Sequence, residues 1–410
     1  MKKTVILMAS ALLFASSAFA QEASKPQFKW YGFIRTYFAF DTRESSAGTE
    51  DLYYYMPKDQ NIIDGTDLNA IPSFRYAALT SRLGLDVTGY EVSGYKVGAK
   101  VETDFYSGVS GVTGTATLRL RQAYVSLAKG GRSWKIGQAW HPMAADMPDI
   151  FSLEVGVPFG PFSRTPQVTA DFKLSDGVSL TASALWQMQY DSTGPDGASA
   201  NYIKYGCTPE MYLGFNFKGE KTLTRIGADF LSIKPRNYNA DKTARVSDRL
   251  TTFNIFAFGQ QKAGDFTLKE KVTYANDGSH MNMIGGYGVS SINPDGSWDY
   301  SATRNISAWA TAAYKKSKVW VPSIFLGYIK TFGTSKEIVG AFWCKNNANS
   351  VASMFRIQPE VVYNLGKVTF GLEYMCTAVQ YGNANNFKLA TENLHWVVNN
   401  RVEMMVKYTF

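Results

Sequence analysis

Basic side chains at alternating positions are the residues of this sequence whose types and spacing best suit chemistry. They stand in segments where polar and apolar residues alternate: Arg35, Arg82, Lys100, Arg119, Arg121 and Lys135. If these segments are β-strands, the alternation places the basic groups on one face of a sheet. A wall of positive charge attracts and steers anions, so the pattern favours anion binding or passage.

A second group of candidates lies in residues 142–163, which follow the fifth predicted strand. This segment is unusually apolar for a surface loop and carries three acids, Asp146, Asp149 and Glu154. An apolar loop is poorly placed in water. We predict that it folds inward as a constriction, where its acids could face the basic wall. The alternative is that it packs on a neighbouring subunit or on other outer loops.

The sequence contains no recognisable catalytic or metal-binding pattern. Its three histidines, His141, His280 and His395, lie in no nucleophile motif, and Gly-x-Ser-x-Gly, His-Glu-x-x-His and a P-loop are missing. The loop sequences 194–197 and 293–296 resemble tight turns more than Ca²⁺ sites. We therefore predict no enzyme activity, no metal and no cofactor. The scattered net charge of +8 also argues against nucleic-acid binding.

Period-two alternation is the strongest structural signal in the chain. In residues 95–105, branched or aromatic side chains occupy one face, and charged or small ones occupy the other. The pattern recurs in sixteen segments: 28–41, 74–90, 94–107, 116–128, 132–141, 164–175, 177–190, 207–219, 222–236, 248–261, 264–277, 303–315, 318–332, 352–364, 367–381 and 395–410. It is what a strand between lipid and a watery lumen requires.

The connections between these segments alternate in length. Short ones carry turn residues at 129–131, 175–177, 218–220, 262–264 and 364–366. Long ones are 42–73, 108–115, 142–163, 191–206, 237–247, 278–302, 333–351 and 382–394. This order predicts an all-β, up-and-down antiparallel transmembrane barrel with short periplasmic turns and long outer loops.

Both ends of the chain fit export to an outer membrane. Residues 1–20 combine two lysines, an apolar run and Ala-Phe-Ala, the pattern of a cleaved signal peptide, so we expect residues 21–410 to form one barrel domain. No apolar run is long enough for a transmembrane helix. The last predicted strand ends on Phe410, which looks like the recognition signal of barrel-assembly machinery.

The first third of the chain resembles the DcaP-like trimeric outer-membrane porins. The matching motifs are 31–35 (YGFIR), 80–84 (TSRLG), 101–105 (VETDF), 118–125 (LRLRQAYV) and 134–140 (WKIGQAW). The resemblance implies a sixteen-stranded trimeric barrel, a third loop folded inward and a preference for anionic solutes. Such porins can carry an N-terminal coiled-coil extension, for which this sequence shows no pattern.

The sequence therefore predicts a porin of the bacterial outer membrane. We expect passive diffusion of small polar solutes, with a bias towards anions such as small carboxylates, in a homotrimer embedded in lipid. The alternative is a structural or surface-interaction barrel with a plugged lumen. In that case its long outer loops would bind partners, especially 42–73 with Tyr53, Tyr54 and Tyr55.

Overall fold

The first and last strands of the chain pair with each other, which closes the sheet. In the computed structural model, which describes residues 25–48, 51–106 and 115–410, Phe33 to Asp41 pair antiparallel with Thr409 to Arg401. The amide of Phe410 donates to the carbonyl of Gly32, so the terminal residue lies on the seam. The predicted signal peptide, residues 1–20, lies outside the described residues.

Sixteen strands form the barrel wall, as predicted. They are numbered β1 to β16 in chain order: Gln27–Asp41, Ser73–Ala77 continued by Arg82–Val92, Tyr95–Asp104, Arg119–Lys129, Arg132–Trp140, Arg164–Ser175, Val178–Leu185, Glu210–Lys218, Thr222–Ile233, Leu250–Ala263, Phe266–Asn276, Trp298–Tyr314, Trp320–Thr334, Val351–Leu365, Val368–Ala384 and Ala390–Thr409. Each strand pairs antiparallel with its neighbours in sequence.

Four strands differ from the predicted ones by about five residues or by an interruption, for local reasons. β7 ends at Leu185 rather than 190, because Gln187 accepts a hydrogen bond from the Ser192 amide and turns the chain. β12 and β16 begin about five residues earlier than predicted, since they continue into the outer loops. β2 is interrupted at 78–81, where the Ser81 hydroxyl accepts a hydrogen bond from the Arg35 amide.

The wall has an apolar outer face and a polar inner face. Along β16, Val398, Val402 and Met404 are 38–47% exposed, whereas Asn399 and Arg401 between them are at most 1% exposed. The predicted alternation is therefore confirmed here. An outer face of this kind is stable only in an apolar environment, because so large an apolar surface is unfavourable in water. In the part of the chain that is described, no helix is long and apolar enough to cross a membrane.

The outer loops carry their own small elements. The first outer loop contains two hairpins, Ser45–Gly48 with Tyr53–Pro57 and Ile62–Ile63 with Thr66–Asp67. Later loops contain the hairpin Thr193–Gly194 with Gly197–Ala198, the helix α1 (Asn201–Gly206), the 3₁₀ turns Pro142–Ala144 and Ser279–Met281, and the strands Gly285–Ile292 and Phe342–Lys345. These last two strands pair with each other and extend the wall beside β12.

The strand Tyr53–Pro57 enters the barrel instead of facing the outside. All five of its residues are buried. The hydroxyl of Tyr381 on β15 donates to the carbonyl of Pro57 at 2.6 Å, and the hydroxyl of Tyr55 donates to the carbonyl of Asn282 at 2.9 Å. The alternative in which Tyr53, Tyr54 and Tyr55 bind partners at the surface is wrong for these residues, because their rings are buried inside the barrel.

Candidate functional site

The segment 142–163 crosses the interior of its own barrel. The hydroxyl of Tyr37 on β1 donates to the carbonyl of Phe151 at 2.8 Å, and the Phe151 amide donates to Glu360 on β14 at 2.9 Å. On another part of the wall, the ammonium of Lys271 on β11 donates to the carbonyl of Met143 at 2.6 Å. Hydrogen bonds with β1, β11 and β14 thus hold the segment inside the barrel.

The acids of this segment point away from the predicted basic wall. Asp146 pairs with Arg225 on β9 at 3.3 Å, and Asp149 pairs with Lys269 on β11 at 2.9 Å. These ion pairs attach the segment to β9 and β11, on the side of the barrel away from the predicted basic wall. The expectation that the three acids face the basic residues of the first five strands is therefore wrong.

Glu154, the third predicted acid, lies in the densely packed part of the interior. Its carboxylate is 3.6 Å from Arg356 on β14, and both side chains are fully buried. Burial raises the pKa of Glu154, and the neighbouring charge of Arg356 opposes that rise. Arg356 also donates to the carbonyls of Tyr55 and Val157. Glu154 thus belongs to the contacts that hold the loops inside the barrel.

A cavity of about 420 Å³ separates the segment from the predicted basic wall. The segment presents apolar side chains to it: Met147, Ile150, Phe151, Leu153 and Val155. The opposite side presents five cations, Arg35, Arg82, Arg119, Arg121 and Lys407, and two carboxylates, Glu102 and Asp104. Four of the predicted basic residues therefore meet at one cavity, and its lining has an excess of three positive charges.

Three of these arginines form a ladder with the two carboxylates. Arg119 binds both oxygens of Asp104, each at 2.9 Å. Arg121 donates to Glu102 at 2.7 Å and to Asp104 at 2.9 Å, and Arg82 is 3.8 Å from Glu102. Bidentate pairing holds these planar groups in a fixed orientation. Each arginine keeps its place, but its charge is partly neutralised.

Arg35 and Lys407 differ from the ladder because they form no ion pair within the described ranges. The Nε of Arg35 donates to Thr80 at 3.0 Å, and its guanidinium lies 4.8 Å from the rings of both Phe33 and Tyr37. Lys407 on β16 lies 5.9 Å from the Phe33 ring. Aromatic rings position a cation without cancelling its charge. These two groups therefore carry the least compensated charge at the cavity.

A second cavity of about 610 Å³ adjoins the first, since Gln122 and Trp140 line both. It lies towards the short turns, because Ser175, Gly177 and Lys218 contribute to its lining. Its charged groups are Lys135, Lys173, Lys218, Arg225 and Asp171. The predicted lumen position of Lys135 agrees with this placement. Positive charge thus predominates in two successive chambers.

Lys100, the sixth predicted basic residue, lines neither cavity. Its ammonium is 2.5 Å from Asp86 on β2 and donates to the hydroxyl of Tyr31 at 2.9 Å. Tyr31 in turn donates to Glu102 at 3.0 Å. Lys100 is therefore connected to the ladder through Tyr31, which binds the carboxylate of Glu102.

Comparison with known proteins agrees with this architecture. The family model described as DcaP outer membrane protein matches residues 15–154. The outer membrane channel DcaP of Acinetobacter baumannii shares 18% identity over 94% of this chain and 97% of its own, with a TM-score of 0.66. No curated protein matches in sequence.

Two more distant structures have the same fold. An anion-selective porin from Comamonas acidovorans shares 10% identity over 94% of this chain and all of its own, with a TM-score of 0.57. The trimer form of OmpT from Vibrio cholerae shares 13% identity over 94% of this chain and 99% of its own, with a TM-score of 0.54.

The predicted resemblance to the DcaP family is confirmed. The chain has the fold of an outer-membrane porin, and its inner and outer faces are those that the alternation predicted. The sequence analysis left Lys407 out of the candidate lumen cations. The available signal was its place between Val406 and Tyr408 in the last strand, since both of these face outward and Lys407 must therefore face inward. Its place at the cavity depends on the pairing of β16 with β1, which no local pattern reveals.

Proposed function

We propose that this chain is a passive diffusion channel of the outer membrane that favours small anions such as carboxylates. The observation that carries the proposal is the excess of three positive charges at the cavity beside 142–163, followed by four cations and one acid in the next chamber. A confined, water-filled path with one sign of charge concentrates the opposite ion and excludes its own. No reaction is part of the proposal.

Residues 142–163 are the constriction in this proposal. They lie between the basic wall and the packed interior, and their apolar face narrows the path without contributing acid to the cavity. A solute would pass between charged groups on one side and Ile150, Phe151 and Leu153 on the other. Such a path suits small anions that carry an apolar part as well as fully hydrated inorganic anions.

Assembly and export complete the proposal. We infer a homotrimer, as in the trimer form of the structurally similar OmpT, and cleavage of residues 1–20 before insertion. Phe410 would be read by the barrel-assembly machinery, and the hydrogen bond of its amide to Gly32 would then form as the seam closes. Chemical crosslinking of the detergent-purified protein should give a three-subunit band that heating in detergent removes.

Ion selectivity tests the proposal directly. The wild-type protein in planar bilayers, under a KCl gradient, should show a reversal potential of the sign expected for anion preference. Replacing both residues, Arg35→Gln together with Lys407→Gln, should lower the anion-to-cation permeability ratio. At about 7 Å in water, one charge contributes about 0.6 kcal/mol with opposite sign to an anion and to a cation, so the ratio should fall by about sevenfold for each charge.

The matched control removes two charges that line neither cavity. Lys318→Gln with Lys336→Gln changes exposed lysines and should leave the permeability ratio close to that of the wild type. Cation preference in the wild-type protein, or equal effects of the two double variants, would contradict the proposal.

A closed barrel that acts only through its surface is the second candidate function. The observation in its favour is the filling of the interior by Tyr53–Pro57 and by 142–163. Liposome swelling separates the two candidates. Small sugars and carboxylates should enter protein-containing liposomes and cause swelling if the two cavities form a continuous path, and no swelling with any solute would favour the closed barrel.

A further inference from the structure

Four polar side chains from distant parts of the sequence form a buried cluster between the wall and the outer loops. His141 follows β5, Glu210 begins β8, Asp229 lies on β9 and His280 lies in the 3₁₀ turn Ser279–Met281. All four are at most 2% exposed. The cluster is separate from both cavities of the candidate channel, because none of the four residues lines them.

The distances within the cluster are short. His141 Nε2 is 2.7 Å from Glu210 Oε1, and His280 Nε2 is 3.2 Å from the same oxygen. His280 Nε2 is also 3.8 Å from Asp229 Oδ2. Ligand atoms of His141, Glu210 and Asp229 all lie within 4.8 Å of one another. One imidazole and two carboxylates therefore converge, and His280 contacts both carboxylates.

The cluster has acceptor capacity that the protein leaves unused. Glu210 Oε2 and Asp229 Oδ1 are buried and have no hydrogen-bond partner among the described residues. The ion pairs of both carboxylates in that part of the chain are with histidines alone, so no lysine or arginine balances them. Two buried carboxylates without a permanent cation are unfavourable unless protons or a metal ion supply the charge.

We propose that this cluster binds one divalent transition-metal ion of the Zn²⁺ type. His141, Glu210 and Asp229 supply ligands, and His280, which contacts both carboxylates, completes the set. A divalent ion balances the two carboxylates, and the mixture of imidazole and carboxylate favours Zn²⁺ or its neighbours over Ca²⁺ and Mg²⁺, which prefer all-oxygen sites.

The surrounding residues orient the carboxylates and the rings. Asn254 on β10 donates to Asp229 Oδ2 at 3.0 Å, which leaves Oδ1 as the ligand oxygen. His141 Nδ1 accepts a hydrogen bond from the Met143 amide at 3.1 Å, so its proton is on Nε2. Coordination through His141 Nε2 requires this proton to move to Nδ1, which can then no longer accept from the Met143 amide. His280 Nδ1 has no hydrogen-bond partner among the described residues, so the fixed partner that supports a ligand here is Asn254.

Protons compete with the metal ion for the cluster. An imidazole must be unprotonated and a carboxylate ionised to bind a metal ion, so protons occupy the same atoms. Asp277 and His141 are the neighbouring ionisable groups. Metal binding consequently releases protons, and the affinity for Zn²⁺ should fall as the pH is lowered.

A bound ion would connect four elements that are otherwise joined by hydrogen bonds. His141 begins the segment 142–163, and His280 lies in the loop whose Asn282 donates to the hydroxyl of Tyr53 at 2.8 Å. The Phe162 amide also donates to the carbonyl of Met281 at 2.8 Å. The ion would therefore hold the inward segments to β8 and β9.

Metal analysis of the full-length protein in detergent tests the proposal. After treatment with EDTA, incubation with Zn²⁺ and gel filtration, the wild type should retain one Zn²⁺ per chain. With Co²⁺ as the probe, visible absorption bands should report nitrogen and oxygen ligation. His280→Gln and Glu210→Gln should each weaken Zn²⁺ binding by about tenfold or more in calorimetric titration.

His395→Gln is the matched control, because His395 forms the partly exposed pair with Asp59 at 2.7 Å. It should bind Zn²⁺ as the wild type does. A wild type that retains no Zn²⁺, or His280→Gln and Glu210→Gln variants that bind as tightly as His395→Gln, would overturn the proposal. Heat-dependent gel mobility verifies that each variant is folded, and the stoichiometry of the wild type decides the matter if a variant fails to fold.

Discussion

Two regions inside this barrel contain the same residue types and use them differently. In the region between β14–β16 and the inward loops, here called the packed side, Arg356 and Arg401 are each about 1% exposed. In the region that lines the two cavities, here called the open side, the side chains of Arg35, Arg82, Arg119 and Arg121 border the cavity. Alternation placed both sets inside the barrel, and the loops determine which set stays accessible.

The arginines of the packed side each donate to several protein acceptors. Arg401 donates to Asp41, to Glu403 and to the carbonyls of Asp51 and Leu52. Groups satisfied in this way fix loops and cannot bind a solute. On the open side, Arg35 has one protein acceptor and two aromatic neighbours. The comparison indicates that an arginine with many protein acceptors has a structural role, whereas one with few can act on passing ions. Position on the wall alone does not distinguish the two.

The largest expected effect concerns stability on the packed side. Arg401→Met leaves Asp41 and Glu403 buried without their cation, so the free energy of unfolding should fall by about 3–5 kcal/mol. Arg35→Met strands no carboxylate and should cost less than about 1 kcal/mol. Unfolding in urea, followed by tryptophan fluorescence in detergent, gives both values. Equal losses for the two variants would remove the distinction between the sides.

A second pair of variants tests the open side by removing equal charge. Arg119→Ala with Arg121→Ala leaves Asp104 and Glu102 without their closest cations, so both anion selectivity and stability should fall, the latter by about 3–5 kcal/mol. Arg35→Gln with Lys407→Gln should lower anion selectivity with little loss of stability. Reversal potentials and urea unfolding of both variants provide the comparison. Unchanged selectivity in both would mean that the basic wall does not select ions.

The smallest expected effect concerns the contact between the segment 142–163 and β11. Asp149→Asn removes the ion pair that holds 142–163 to Lys269, a half-buried contact, so stability should fall by about 0.5 kcal/mol. The freed segment should add brief fluctuations to the single-channel current. Asp265→Asn, which removes the exposed pair with Lys316 at 3.4 Å, is the control and should leave the current noise as in the wild type.

The sequence predicted the wall well and the interior only in part. Alternation has a period of two in every strand, so strand count and the inward faces of Arg35, Arg119 and Arg121 follow from local pattern. The direction of 142–163 does not. Its acids met Arg225 and Lys269 because the segment packs across the lumen, and that arrangement depends on loop contacts such as those of Tyr37 and Glu360.

The buried cluster of His141, Glu210, Asp229 and His280 could not be predicted from local sequence patterns at all. Its members are separated in sequence by up to 139 positions, so no spacing motif connects them. Only the antiparallel order of β8 and β9, together with the fold of the loop after β11, brings them into contact. Sites assembled from several strand ends are therefore invisible to pattern analysis of one segment at a time.

The central claim is that uncompensated cations on the open side decide which ions pass, and charge reversal tests it most directly. The measurement is the reversal potential under a KCl gradient for Arg35→Glu with Lys407→Glu, beside Lys318→Glu with Lys336→Glu. The account predicts that the first variant loses most of the anion preference, because the first cavity then has an excess of negative charge, and that the second keeps the anion preference of the wild type. Equal anion preference in the two variants would contradict it.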